Sequence, residues 1–175
     1  MKLARHIVVL ALSSCILVAR ADTLQEAVAA IHRKDYPSAV RLLEPLARGG
    51  NAQAQSRLGT LYYHGHGVRE SDALALDWFG RAARQGLAEA QFNLGNMYAY
   101  GLAKLPENED PQRAAAQWYF EAARQGHAEA QYSLGVLFLT GSGVLLSADE
   151  ARKWMARAAA QGHADAKAYL DGAPR

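Results

Sequence analysis

The chain has 175 residues, half of them apolar, which is enough for one domain with a sizeable buried core. Once the first 21 residues are set aside as a leader, 16 basic and 17 acidic residues remain, and this net charge of −1 disfavours nucleic acid as a partner. The single cysteine lies at position 15, inside that leader, so the rest of the chain has no disulfide, thiolate nucleophile or cysteine metal site.

Residues 1–21 have the pattern of a secretory signal peptide. A basic start, MKLARH, is followed by the apolar run IVVLALSSCILVA and by the small-residue cleavage site ARA. The apolar run is too short to span a bilayer, so we expect cleavage after Ala21, no transmembrane anchor and a periplasmic or secreted protein. The alternative is a lipoprotein signal ending at Cys15, with lipidation there, but the apolar stretch that follows this cysteine disfavours it.

The rest of the chain repeats itself with a spacing of 36 or 40 residues. The repeat is marked by Leu-Gly pairs and by tryptophans that follow at the same spacing: Leu58-Gly59, Leu94-Gly95 and Leu134-Gly135, then Trp78, Trp118 and Trp154. The middle copy is longer, and its extra residues fall in the segment AKLPENED, which we expect to be a loop. A period of this length indicates stacked structural units rather than one globule.

Each copy predicts a first helix with one buried stripe. In AEAQFNLGNMYAYG the stripe contains Gln91, Leu94, Gly95 and Tyr98 at helical spacing. A glycine inside a helix is unfavourable by about 1 kcal/mol relative to alanine, so its recurrence indicates that another helix approaches closely there. We expect the first helices to end at glycines in the left-handed conformation: Gly65, Gly101 and Gly141.

Each copy also predicts a second helix, which contains the tryptophan and a pair of alanines. Asp110 followed by Pro111 is an N-cap with a proline at the first helical position. Ser147 with Glu150 predicts a capping box, and Ser71 is the candidate cap for the remaining copy. The tryptophans could form a ligand-stacking row, but the repeat spacing favours a place in the core.

These signals predict an all-α fold, an α/α superhelical solenoid of about four and a half helix-pair repeats. The predicted divisions follow the repeat: leader 1–21, a divergent N-terminal helix pair 22–49 with its second helix capped by Asp35, repeats 50–85, 86–125 and 126–161, and a partial repeat 162–175.

The repeated pattern is A-x-A-Q-x-x-L-G-x-x-Y-x-x-G-x-G-V followed by W-x-x-x-A-A-x-Q-G. It resembles the Sel-one-like repeat (SLR) family, which is related to the tetratricopeptide repeats. The middle copy departs from the pattern with GLAKLPENED, and the last has Asp171 in place of glycine. The resemblance implies an α-solenoid that binds other proteins, in bacteria often in the periplasm.

The sequence contains several weak candidates for chemistry. His64 and His66 could bind a metal in a loop, but their glycine neighbours belong to the repeat and no third ligand lies nearby in the sequence. The equivalent glutamates of two repeats could act as an acid–base pair, although repetition alone explains them. His127 and His163 occupy the position of Asn51, just before a first helix, which indicates helix caps. We therefore expect no catalytic site, no metal and no cofactor.

A second stripe on the first helices is the better candidate for a functional surface. In related superhelical repeats this stripe lines a concave groove, and exposed apolar and aromatic side chains there favour an interaction site. The alternative is that these side chains pack between neighbouring repeats. The candidate partner-binding residues are Glu89, Phe92, Asn96, Glu129, Tyr132, Val136, Leu139 and Tyr63.

Three functions are compatible with the sequence. The first is a periplasmic scaffold or adaptor that binds a protein or peptide partner in the groove. The second is an immunity protein that inhibits a secreted lipase-type toxin, which rests on analogy of fold. The third, which the sequence disfavours, is an enzyme acting on cell-wall material.

Overall fold

The computed structural model describes residues 22–106 and 109–172, and the regular elements in these ranges are all helices. The predicted leader, with its cleavage site and Cys15, lies outside the described residues. Nine helices occur in the described ranges: α1 (22–32), α2 (Tyr36–Arg48), α3 (Ala52–His64), α4 (Asp72–Arg84), α5 (Ala88–Ala99), α6 (Pro111–Arg124), α7 (Ala128–Thr140), α8 (Ala148–Ala160) and α9 (Ala164–Leu170). The predicted all-α fold of helix pairs is confirmed. None of these helices is both long and apolar enough to cross a membrane.

The chain forms two compact units. The first unit extends to Ser71 and contains α1, α2 and α3, with α2 packed on α3. The second unit begins at Asp72 and contains α4 to α9, each of which packs on the next helix in the chain. Below, α3, α5, α7 and α9 are called first helices, and α4, α6 and α8 second helices.

Helices α2, α6 and α8 begin at their predicted caps. The side chains of Asp35 and Asp110 accept hydrogen bonds from backbone N–H groups in the first turns of α2 and α6. The predicted capping box at α8 is half wrong. Ser147 Oγ does accept from the N–H of Glu150, but the N–H of Ser147 donates to the carbonyl of Phe138, and Glu150 instead pairs with Lys153. The serine cap therefore forms without its reciprocal glutamate bond.

The mid-helix glycines allow close helix packing, as predicted. A Cβ placed at Gly95 would lie 2.7 Å from the Cδ1 and Cε1 atoms of Tyr119 on α6. A Cβ at Gly135 would lie 3.0 Å from the Cε atom of Met155 on α8. The recurrent glycine is therefore a packing requirement, because α6 and α8 occupy the space where a larger side chain would be.

Glutamines at equivalent positions link neighbouring helices inside each unit. Gln91 and Gln131 are buried, and their side-chain amides donate to the carbonyls of Ala83 and Ala123 at the end of the preceding helix. Each of these glutamines also accepts a hydrogen bond from a later one, Gln125 or Gln161 respectively. Buried amides need such partners, so the glutamine of the repeat pattern is architectural.

The tryptophans have a mainly structural role. Trp78 and Trp154 are buried, while Trp118 is half-buried on α6. The guanidinium groups of Arg81 and Arg157 lie over the rings of the two buried tryptophans, 4.8 and 4.4 Å from the ring centroids. The predicted core position holds for these two and in part for Trp118.

Candidate functional site

Seven of the eight predicted partner-binding residues lie on two helices of the second unit. Together they are called the first-helix row: Glu89, Phe92 and Asn96 on α5, then Glu129, Tyr132, Val136 and Leu139 on α7. The two glutamates are exposed and the other five side chains are half-buried. The eighth residue, Tyr63, lies on α3 in the first unit.

The aromatic residues of the row stack on histidines that begin the next first helix. The ring centroids of Phe92 and His127 are 4.8 Å apart, and those of Tyr132 and His163 are 4.3 Å apart. Both pairs are nearly parallel, with interplanar angles of 26° and 20°. Each stack joins two adjacent repeats, so the row is supported from the following repeat.

Both histidines are N-caps, as the sequence predicts. Nδ1 of His127 accepts a hydrogen bond from the N–H of Ala130, and Nδ1 of His163 accepts one from the N–H of Ala166. A ring nitrogen that accepts cannot carry a proton, so the proton of the neutral imidazole lies on Nε2. The caps therefore fix the tautomer of both rings.

The fixed tautomer of His163 positions a carboxylate of the row. Its Nε2 lies 3.1 Å from Oε2 of Glu129, so the N–H donates to the carboxylate. The His163 side chain is only 8% exposed, whereas that of Glu129 is 62% exposed. The carboxylate is thus held on one side by a buried ring and is open to solvent on the other.

The stack of an aromatic ring on a capping histidine recurs one repeat earlier, again with a glutamate one turn before the ring. Glu89 precedes Phe92 by one helical turn, as Glu129 precedes Tyr132, and His127 stacks on the aromatic ring. Burial lowers the pKa of His127, while the negative charges of Glu129 and Glu89 act in the opposite direction. The second unit therefore presents a carboxylate, an aromatic ring and a capping histidine twice in succession.

Asn96 of the row is hydrogen-bonded to a buried side chain of α6. Its Oδ1 accepts a hydrogen bond of 2.7 Å from the hydroxyl of Tyr119, whose ring packs against Gly95. Burial raises the pKa of the Tyr119 phenol, so the hydroxyl remains a donor. Asn96 consequently helps to hold α6 in place as well as bordering the row.

The apolar residues of the row on α7 pack inward without being completely buried. Tyr132, Val136 and Leu139 pack against a buried cluster that contains Met155 and Ala158 of the same repeat and Ala166 of the next. They are nevertheless only half-buried, so part of each side chain reaches the surface. Their use in binding stays a prediction.

Tyr63 belongs to a separate aromatic cluster in the first unit. Its ring meets that of His64 edge-on, His64 stacks on His66 with centroids 5.4 Å apart, and His66 stacks on Tyr36 at 4.4 Å. No group of three or more side chains suited to a metal occurs in the described part of the chain. Ring stacking accounts for the arrangement of His64, at the end of α3, and of His66, which follows it.

Sequence reasoning missed the histidines as members of the site. It identified His127 and His163 as caps but did not connect them with Phe92 and Tyr132. The available signal was the recurrence of the aromatic residue and of the cap at equivalent repeat positions, although the two pairs are 35 and 31 residues apart.

Comparison with known proteins places the repeats in a described family. Residues 31–51, 52–87, 88–127 and 128–163 match the Sel1 repeat. No curated protein matches the chain. Among solved structures, a Sel1 repeat protein from Oxalobacter formigenes is 35% identical with a TM-score of 0.77, over 85% of this chain and 58% of its own.

Two further solved structures share the fold. The protective antigen c5321 of uropathogenic Escherichia coli, which displays an SLR fold, is 29% identical with a TM-score of 0.79, over 86% of this chain and 32% of its own. Cysteine rich protein B of Helicobacter pylori is 19% identical with a TM-score of 0.52, over 83% and 96%. The chain spans less than two thirds of the Oxalobacter and Escherichia proteins.

Proposed function

The chain belongs to the Sel1 repeat family, and from this premise we propose that it is a periplasmic scaffold or adaptor that binds a protein or peptide through the first-helix row. Sel1 repeat proteins generally mediate protein–protein interactions and are typically non-catalytic. The observation that carries the assignment to this surface is the repeated carboxylate and aromatic ring on α5 and α7, with each ring stacked on the histidine that caps the next first helix. Repeated side chains on successive units are how solenoid proteins recognise extended partners.

Photo-crosslinking tests whether partners contact this surface. A photoreactive benzoylphenylalanine in place of Tyr132 keeps an aromatic ring at the site, and the same residue in place of Phe120 is the matched control. Phe120 is 42% exposed and lies on α6, outside the row. In periplasmic extract we expect covalent partners from position 132 and none, or fewer, from position 120.

The opposite pattern, with partners at position 120 and none at 132, would reject the row as the binding surface. Mass spectrometry of the crosslinked species identifies the partner. Recovery of a secreted lipase would favour the alternative function, an immunity protein that inhibits a lipase-type toxin. A scaffold is instead expected to bind other proteins of its compartment.

The compartment is part of the proposal and rests on the leader pattern at residues 1–21. Cell fractionation should recover the protein with periplasmic markers, and mass spectrometry of the mature chain should find Asp22 as its first residue. A mature chain that starts at a lipid-modified Cys15 would replace this assignment with a membrane-anchored lipoprotein.

A further inference from the structure

Two first helices of the second unit, α5 and α7, carry charge of one sign only. Each contains one glutamate and no lysine or arginine. The second helices carry charges of both signs, and three of their cations pair with acids of the same helix: Arg81 with Asp77, Arg124 with Glu121 and Lys153 with Glu150. The surface formed by the first-helix row is therefore acidic, although the whole chain is close to neutral.

The carboxylate of Glu129 is oriented by one ring contact in this arrangement. Nδ1 of His163 accepts from the backbone N–H of Ala166, which leaves Nε2 to donate to Oε2 of Glu129. This hydrogen bond uses one acceptor position of the carboxylate. With 62% of the side chain exposed, further acceptor positions of the carboxylate face solvent.

An aromatic ring lies beside each carboxylate. Tyr132 is three residues after Glu129 and Phe92 three residues after Glu89, so ring and carboxylate are neighbours on one helix face. A guanidinium or ammonium group can pair with a carboxylate while it lies against an aromatic ring, and the two interactions reinforce each other. Each repeat thus offers a position for one cationic side chain.

We propose that the first-helix row binds a basic, extended peptide segment of a protein partner, which places a lysine or arginine beside Glu129 and another beside Glu89. This inference rests on the proposed function and specifies the chemistry of the partner. The half-buried Val136 and Leu139 add apolar contact beside the second position. The charge of the row excludes acidic segments, because like charges in an interface disfavour binding.

Fluorescence anisotropy with short dye-labelled peptides tests the proposal. The probes are a peptide of arginine and lysine alternating with serine, the same peptide with acetylated lysines and citrulline in place of arginine, and a peptide with glutamate in place of both. We expect only the basic peptide to bind, and its Kd to rise with added salt.

Charge-removing variants locate the site. Glu89→Gln and Glu129→Gln keep the side-chain shape, and each should weaken binding of the basic peptide by about five-fold, as expected for loss of one exposed charge pair. Glu121→Gln is the matched control, because Glu121 is on α6 with its side chain 49% exposed. The control should leave the Kd unchanged.

Equal binding of all three peptides, or equal loss in the Glu121→Gln control, would overturn the proposal. So would salt-independent binding of a crosslinked partner that Glu89→Gln and Glu129→Gln do not weaken. In that last case crosslinking from position 132 would still support the proposed function, so the two failures are distinguishable.

Discussion

At the scale of single residues, the glycine that recurs in the first helices lets another helix pack closely because glycine has no Cβ atom. The Tyr119 ring is 4% exposed, its hydroxyl is bound to Asn96, and it occupies the space beside Gly95. At the equivalent position the neighbour of Gly135 is the flexible end of Met155. A rigid ring and a flexible thioether should respond differently to an added methyl group.

We expect Gly95→Ala to reduce the free energy of unfolding by about 1–2 kcal/mol, because overpacking exceeds the gain of about 1 kcal/mol in helix propensity. Gly135→Ala is the matched control and should be closer to neutral, since Met155 can move aside. Urea denaturation of both variants measures the difference. If Gly95→Ala were as stable as the parent, the contact with Tyr119 would not constrain this position.

At the scale of elements, the helix N-termini combine capping with the candidate site. Asn51 caps α3 through its side-chain oxygen, whereas α7 and α9 use the Nδ1 atoms of histidines. An asparagine cap is insensitive to pH in the neutral range, but a histidine cap requires the neutral ring. The stability of α7 is therefore linked to the protonation of His127.

Burial lowers the pKa of His127 in the folded chain, so the unfolded chain takes up this proton first as the pH falls. The stabilisation that depends on neutral His127 is complete above about pH 6.5, the usual value for histidine, and is lost as the pH falls through the lower folded value. Thermal unfolding of the parent and of His127→Asn, followed from neutral to mildly acidic pH, checks this.

As the pH falls, the Tm of the parent should decrease more than the Tm of His127→Asn, because asparagine keeps the cap and does not titrate. Taking the difference between the two proteins removes the contribution of the carboxylates common to both. A constant difference across the pH range would show that His127 has the same pKa in the folded and unfolded chains.

At the scale of the whole molecule, the described helices of each unit pack mainly on their neighbours in the chain. In the second unit α7 packs on both α6 and α8, and five of its residues are buried. The last described helix, α9, has seven residues, packs on α8 and contains one buried residue, Ala166. A terminal element with one neighbour should open more readily than an internal one.

We therefore expect backbone amides of α9 to exchange with deuterium at least about ten-fold faster than those of α7. Hydrogen exchange followed by mass spectrometry compares the two helices in the same sample, which removes differences in pH and temperature. Equal protection of α7 and α9 would mean that the second unit opens only as a whole.

Much of the fold was predictable because its signals are local or periodic. The cap at Asp110, the glycines at Gly95 and Gly135, and the helix pairs follow from residue type and from the repeat spacing. The capping box predicted at Ser147 was only half correct. The N–H of Ser147 donates to the carbonyl of Phe138, and Glu150 forms an ion pair with Lys153. Such competition between partners is not visible in a four-residue pattern.

The sequence by itself determined the helix-pair repeat and most of the buried stripe of a first helix, since helical spacing and recurrent glycine express these directly. Tyr98, which was predicted in that stripe, is only half-buried, and Met97 is buried instead. Only the tertiary structure decided that Tyr132 stacks on His163 and that the His163 ring is hydrogen-bonded to Glu129. His163 and Glu129 are 34 residues apart, so their contact depends on how one repeat packs on the next. That packing turns two capping histidines into part of a candidate binding surface.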